Sequence, residues 1–200
     1  MQTDNPKTIF IVYAVKEEFI PLTVEGYNIK HICTGVGKTK SATILTKNIC
    51  LNKPDLVLNI GTAGTLSHNV GDVFIPIRFR DRDYEATKLP GIEYEIDGLE
   101  LIRPNSLKDW VLNYEKLGVC STGDTFITEA NPSYGDVIDM EAYALAYVCK
   151  ELNVPFLSVK YITDIIGQNS VEHWENKLAD ARSGLMSWFD KYKFFPLIYC

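Results

Sequence analysis

Five short stretches hold residue types that do chemistry. Glu17-Glu18, Asp139-Met140-Glu141-Ala142 and Thr163-Asp164 supply carboxylates, while Gly61-Thr62-Ala63-Gly64 and Gly123-Asp124-Thr125-Phe126-Ile127 supply glycines, hydroxyls and an aromatic ring. Carboxylates of this kind serve as general acids and bases once their surroundings set which one carries a proton. Taken singly, each stretch also has a plainer reading. Glu17 and Glu18 suit a solvated helix start, Asp139 and Asp164 suit helix caps, and Gly61 and Gly64 suit backbone geometry alone.

Other motifs fail on inspection. Gly35-Val36-Gly37-Lys38-Thr39 has the ingredients of a phosphate loop, but the pattern G-x-x-x-x-G-K-S/T puts its first glycine on Ile32. A dinucleotide fingerprint would need its third glycine at Lys40. The plainer reading is a tight strand-to-helix turn. His31, His68 and His173 are isolated, so neither a triad nor a metal constellation can be assembled, and packing or surface roles are expected. Cys33, Cys50, Cys120, Cys149 and Cys200 are widely spaced with no C-x-x-C pair, and are read as reduced core thiols.

The elements that must position these residues alternate in kind. Short apolar runs at Ile9–Val15, Leu56–Ile60, Val73–Ile77 and Phe156–Ile162 read as buried strands. Thr39–Leu51 and Met140–Leu152 carry helical periodicity, and a third helix starts near Asn169, where Asn169 and Glu172 have capping-box spacing, and continues past Trp188. The expected class is α/β, one domain over residues 1–200, with a twisted, mixed but mainly parallel central sheet flanked by helices. Most of the small or acidic stretches then follow strands, where open α/β sheets bind ligands. The charged stretch from Arg78 to Gly98 is expected to be a surface excursion, serving as a lid or a subunit contact.

With 46% hydrophobic residues in 200, one sizeable core can form. A net charge of -6 with scattered lysines argues against nucleic acid as a partner. The first apolar run is too short for a membrane span and runs into Lys16-Glu17-Glu18, so no membrane and a cytoplasmic address are expected.

Order and spacing together say more than any single stretch. Ala14-Val15-Lys16-Glu17-Glu18, Thr34-Gly35-Val36-Gly37-Lys38, Asn59-Ile60-Gly61-Thr62-Ala63-Gly64, Val70-Gly71-Asp72-Val73, Thr122-Gly123-Asp124-Thr125-Phe126-Ile127, Asp139-Met140-Glu141-Ala142, and Asn153-Val154-Pro155-Phe156 leading to Ile162-Thr163-Asp164 fall in one family's order. The chain resembles the methylthioadenosine/S-adenosylhomocysteine nucleosidases of the purine nucleoside phosphorylase and uridine phosphorylase superfamily. Residues 78 to 117 match least and look shorter than in relatives. Val15 stands where nucleosidases often carry Met, and Thr62 and Thr163 stand where Ser is usual.

The resemblance implies hydrolysis of a purine N-ribosidic bond with no cofactor and no metal. Asp164 would act as general acid at N7 of the purine, holding a proton well above the free carboxylate pKa of about 3.9. Glu18 would orient the attacking water as general base. Glu141 would accept bonds from the ribose hydroxyls and favour an oxocarbenium-like sugar. Met140 would pack beneath the sugar and Phe126 would stack on the base. The backbone near Ile127 would meet the purine edge, and Thr62, Ala63, Gly64 and Thr163 would complete the substrate-binding set.

Phosphorylases of the superfamily bind phosphate with arginines, and this chain has none before Arg78. By the resemblance, the segment that matches their N-terminal arginine loop offers Glu18 instead. A carboxylate beside a phosphate dianion costs on the order of 4 kcal/mol per charge pair at 4 Å and an effective dielectric of about 20, so water is favoured. Methylthioadenosine or S-adenosylhomocysteine is the first substrate expectation. Futalosine-type or other purine nucleosides, a phosphate-dependent phosphorylase and a non-catalytic nucleoside-binding protein stay open. Relatives complete the pocket across a subunit interface, so a homodimer is implied.

Overall fold

The computed structural model describes residues 6–129, 131–168 and 170–198, apart from the side chains of 132, 170–173 and 175. Its centre is β3 (Leu56–Thr65), buried along its whole length, beside β8 (Phe156–Ile165), buried except at its last residue. Neither strand alternates in polarity, as expected where both faces are covered. β3 pairs in parallel with β1 (Lys7–Tyr13) through Leu56–Asn59 and with β8 from Val57 to Thr65. β1 in turn pairs with β2 (Tyr27–Cys33) at the edge.

The other end of the sheet closes on itself. β8 meets β4 (Val73–Asp81), β4 meets β6 (Leu117–Thr122), β6 meets β7 (Val137–Asp139), and β7 returns to the end of β3 through Gly64 and Thr65. Five strands thus form a barrel-like ring, with β5 (Glu95–Asp97) on the outer edge of β4. The mainly parallel mixed sheet was legible in the sequence; the ring closure was not.

Side chains alternate across the sheet into two cores. Ile9, Ile11, Leu58 and Val159 face α3 (Asn105–Leu112) and α5 (Ser170–Tyr192), with an aromatic cluster around Trp188 and Phe194. Phe10, Val12, Val57 and Phe156 face α1 (Lys38–Leu51) and α4 (Ala142–Glu151). The proposed capping box at Asn169 and Glu172 lies outside the described residues, as do Cys200 and the His173 side chain.

Several expectations are corrected. Gly61–Gly64 and Thr163-Asp164 end strands instead of forming the loops after them. The strands run on because their hydroxyls and carboxylates find partners inside, so polarity there does not force an exit to solvent. The charged stretch from Arg78 begins as the end of β4, and both Asp81 and Arg82 are buried; α2 (Arg82–Thr87) and the exposed surface follow. Cys120 and Cys149 are buried thiols, but Cys33 and Cys50 are exposed, because they fall on the outer sides of an edge strand and a helix.

α5 approaches β8 closely at Gly184, where an added Cβ would overlap the Tyr161 ring. In an open helix Gly→Ala gains about 1 kcal/mol. Here overpacking wins, and Gly184→Ala is expected to lose about 1–3 kcal/mol in urea unfolding.

Candidate active site

Strand ends deliver the carboxylates. After β1 the chain makes a 3-10 turn over Lys16–Glu18 that brings Glu18 inward, where it is 5% exposed. Its Oε2 accepts from the amides of Ala14 and Val15 at 3.0 and 3.3 Å. Its Oε1 accepts from the Thr62 amide and hydroxyl at 2.9 and 2.8 Å. Trp174 of α5 donates its indole N–H to the same hydroxyl at 2.9 Å. An indole can only donate, so the Thr62 proton is directed at Glu18. The carboxylate is thereby held by the residues just after β1, by β3 and, through Thr62, by α5.

Glu141 sits between β7 and α4, with Oε1 accepting from the Gly37 amide at 2.9 Å. The next amide, Lys38, donates to Asp124 Oδ1 at 2.7 Å. Gly35 and Gly37 have φ of 81° and 95°, so the tight-turn reading of these glycines matches the geometry. The positive end of α1, where a phosphate loop would hold its anion, is occupied by two of the protein's own carboxylates.

Asp164 owes its aim to an irregularity in β8. Ala63 pairs with Ile162 but Gly64 pairs with Asp164, so Thr163 is the extra residue of a bulge. Bulges next to sites re-aim side chains. The Thr163 hydroxyl donates to Asp164 Oδ1 at 2.8 Å. A Cβ on Gly64 would lie 2.9 Å from Asp164 Oδ2, so glycine makes room for the carboxyl.

A charge pair lies behind these groups. Lys160 is 2% exposed, and its Nζ stands 2.8 Å from Asp139 Oδ2. Burial opposes the charge of Asp139, but Lys160, the Thr122 hydroxyl and the Ala142 amide more than offset it and hold the carboxyl below its usual value. Burial is the largest single effect on Lys160 and opposes its charge, but Asp139, Cys120 and Glu141 together more than offset burial and raise the ammonium pKa. Among the described residues no cation pairs with Glu141. Burial first and the Asp139 charge second push it up to about 8, against smaller opposing effects of Lys160 and the Gly37 amide.

These groups surround a cavity of about 210 Å³. All the sequence-derived site residues line it except Thr163, whose hydroxyl lies behind Asp164. Glu18, Glu141 and Asp164 therefore share one cavity, although they are far apart in the chain. Phe126 stands at its rim, 38% exposed, with its ring edge-on to Trp174 at 6.4 Å.

The sequence reading missed Trp174, Lys160 and Arg82. A lysine inside an apolar strand run was a legible sign of a buried pair; Trp174 read as one more apolar helix position. The cavity is also not free of cations, since Arg82 lines its wall. Its Nη hydrogens are committed to four backbone carbonyls, and Lys160 to Asp139. Neither is presented as part of an arginine pair that would seat phosphate.

The fold and this cavity define a class, and comparison with known proteins gives the same one: residues 13–186 match the model of the phosphorylase superfamily. A 5'-methylthioadenosine/S-adenosylhomocysteine nucleosidase of Bacillus subtilis (strain 168) is 30% identical over 198 aligned positions, spanning 89% of this chain and 84% of that one. The solved Helicobacter pylori nucleosidase of that name superposes with a TM-score of 0.77 at 20% identity, over 94% of this chain and 100% of the other. Futalosine hydrolase of Helicobacter pylori strain 26695 gives 0.76 at 21% identity, over 93% and 98%. At these identities the two structures show a common fold. The chain belongs to the 5'-methylthioadenosine/S-adenosylhomocysteine nucleosidase family of the phosphorylase superfamily.

The raised Glu141 pKa makes stability depend on pH. Between its ordinary value of 4.5 and about 8, the folded state keeps a proton that the unfolded chain has lost. Stability contributed by Glu141 therefore falls as pH rises through that window. Glu141→Gln is expected to flatten the fall in melting temperature across it; a variant as steep as the parent would contradict the assignment.

Proposed function

We propose that the chain, acting as one unit over residues 1–200, hydrolyses the N-ribosidic bond of a purine nucleoside and releases the free base. The observation that carries this is the convergence of Glu18, Glu141 and Asp164 on one cavity of about 210 Å³. A purine between Phe126 and Asp164 would receive a proton or hydrogen bond at N7 from the Asp164 carboxyl, which makes it a better leaving group. As the bond to C1' lengthens, positive charge grows on the sugar. Glu141, once ionised, would favour that charge while accepting from the ribose hydroxyls, with Met140 against the sugar's lower face. Backbone near Ile127 would meet the purine edge.

Glu18 would hold the attacking water at the end of β3, where Thr62, Ala63 and Gly64 shape the floor. Its carboxylate receives four donated hydrogen bonds, so the base is fixed in orientation before water arrives. Thr163 supports Asp164 through its hydroxyl instead of touching substrate. No cation with unspent Nη hydrogens or an unpaired ammonium faces this position among the described residues, which supports water over phosphate.

Methylthioadenosine or S-adenosylhomocysteine is the first substrate, as in the Bacillus subtilis relative's name. A homodimer is proposed from the family resemblance; exposed Tyr84, Leu89, Tyr94 and Tyr147 offer apolar surface for it. A cytoplasmic address is proposed as well, where exposed thiols such as Cys33 and Cys50 stay reduced.

The test is chromatography of released base from a nucleoside panel that includes methylthioadenosine, S-adenosylhomocysteine, futalosine and adenosine, with and without phosphate. Release of adenine from methylthioadenosine without phosphate is expected, and Asp164→Asn should lower kcat by about 10²-fold or more. Release that requires phosphate and yields ribose 1-phosphate would establish a phosphorylase. Tight binding without turnover would establish a binding protein.

A further inference from the structure

We propose that Arg82 is a positioning residue that sets the spacing between the base-holding and sugar-holding sides of the cavity. This rests on the nucleosidase reading for what each side holds, though not for the clamp itself. Arg82 is 5% exposed and opens α2. Its Nη1 donates to the carbonyls of Ser121 and Asp139 at 2.8 and 2.9 Å. Its Nη2 donates to the carbonyls of Gly123 and Thr125 at 3.0 and 2.5 Å. One planar group thus gathers the ends of β6 and β7 and the turn after β6.

Two of those carbonyls have a special place. Thr125 directly precedes Phe126 and Ile127, and Asp139 directly precedes Met140 and Glu141. Arg82 therefore grips the backbone one residue upstream of the Phe126 ring on the base side, and one and two residues upstream of Met140 and Glu141 on the sugar side. The turn from Gly123 to Glu129 lies outside any strand, so it depends on such side-chain ties for its place.

Among the described residues the surroundings satisfy both Nη groups of the guanidinium and leave its Nε buried without a partner. Among the described residues no carboxylate lies within ion-pair distance of it, so carbonyl dipoles alone solvate a buried charge. That arrangement demands all four contacts at once, which a lysine ammonium cannot supply. A Cβ on Gly123 would stand 2.7 Å from Arg82 Nε, so glycine there lets the turn close on the side chain. Upstream, Asp81 caps α2 through the amides of Asp83 and Tyr84, and Lys38 holds Asp81 at 2.9 Å, which fixes the backbone from which Arg82 reaches in.

The test uses Arg82→Met, Arg82→Lys and Gly123→Ala, with two readouts at a temperature where each variant is folded by circular dichroism. In hydrogen exchange of the unliganded protein, amides of 121–127 and 137–141 should exchange about tenfold faster in Arg82→Met, with α5 unchanged. In turnover of the best nucleoside, KM should rise about tenfold and kcat fall by less, with Arg82→Lys close to Arg82→Met. Gly123→Ala, which keeps the charge but displaces it, should move both readouts in the same direction and carries the test if the arginine variants do not fold. Parental exchange and KM in a folded variant would overturn the proposal, as would a loss of stability with KM unchanged. If the parent releases no base from any nucleoside, the nucleosidase reading fails, and local exchange alone decides the clamp.

Discussion

Carboxyl groups crowd the cavity: Glu18, Asp139, Glu141 and Asp164 all line it, and were all of them ionised they would repel one another strongly where water cannot screen them. The rest of the site can be read as the means of tolerating this. Asp139 is neutralised by Lys160 and Glu18 is held by four donated hydrogen bonds, while Glu141 has one amide and a pKa pushed up to about 8. Carboxylates whose surroundings differ this much can take different roles in one reaction.

The secondary structure supplies those differences. Amides at the start of α1 reach Glu141 and Asp124, the bulge at Thr163 turns Asp164 toward the cavity, and Gly64 leaves space for it. Arg82 ties the end of β7 to the turn after β6. None of these devices lies on a single element. Each joins segments remote in sequence, and the closing pair of the ring, β3 with β7, brings Asp139, Met140 and Glu141 up to the ends of the other strands.

Much of this was legible in the sequence because β1, β3, β4 and β8 are apolar runs of strand length and because small or acidic residues mark their ends. Glu18, Glu141 and Asp164 were singled out by the resemblance that the short motifs carry when taken in one family's order. The rest escaped for physical reasons. β7 is three residues long, too short for periodicity to show, and edge strand β2 is half-buried with polar residues between its apolar ones. Arg82 sits in Asp81-Arg82-Asp83, a string that reads as surface until the carbonyls that solvate it are placed by distant strands. Lys160 and Trp174 depend in the same way on partners remote in sequence.

The central claim is that three distant carboxylates meet around one glycosidic bond. A crystal structure with a non-hydrolysable purine nucleoside analogue tests it most directly. The expected complex has N7 of the base within hydrogen-bond distance of Asp164, both ribose hydroxyls on Glu141, and a water on Glu18 facing C1'. An analogue seated with its ribose away from Glu141, or with phosphate in place of that water, would contradict it.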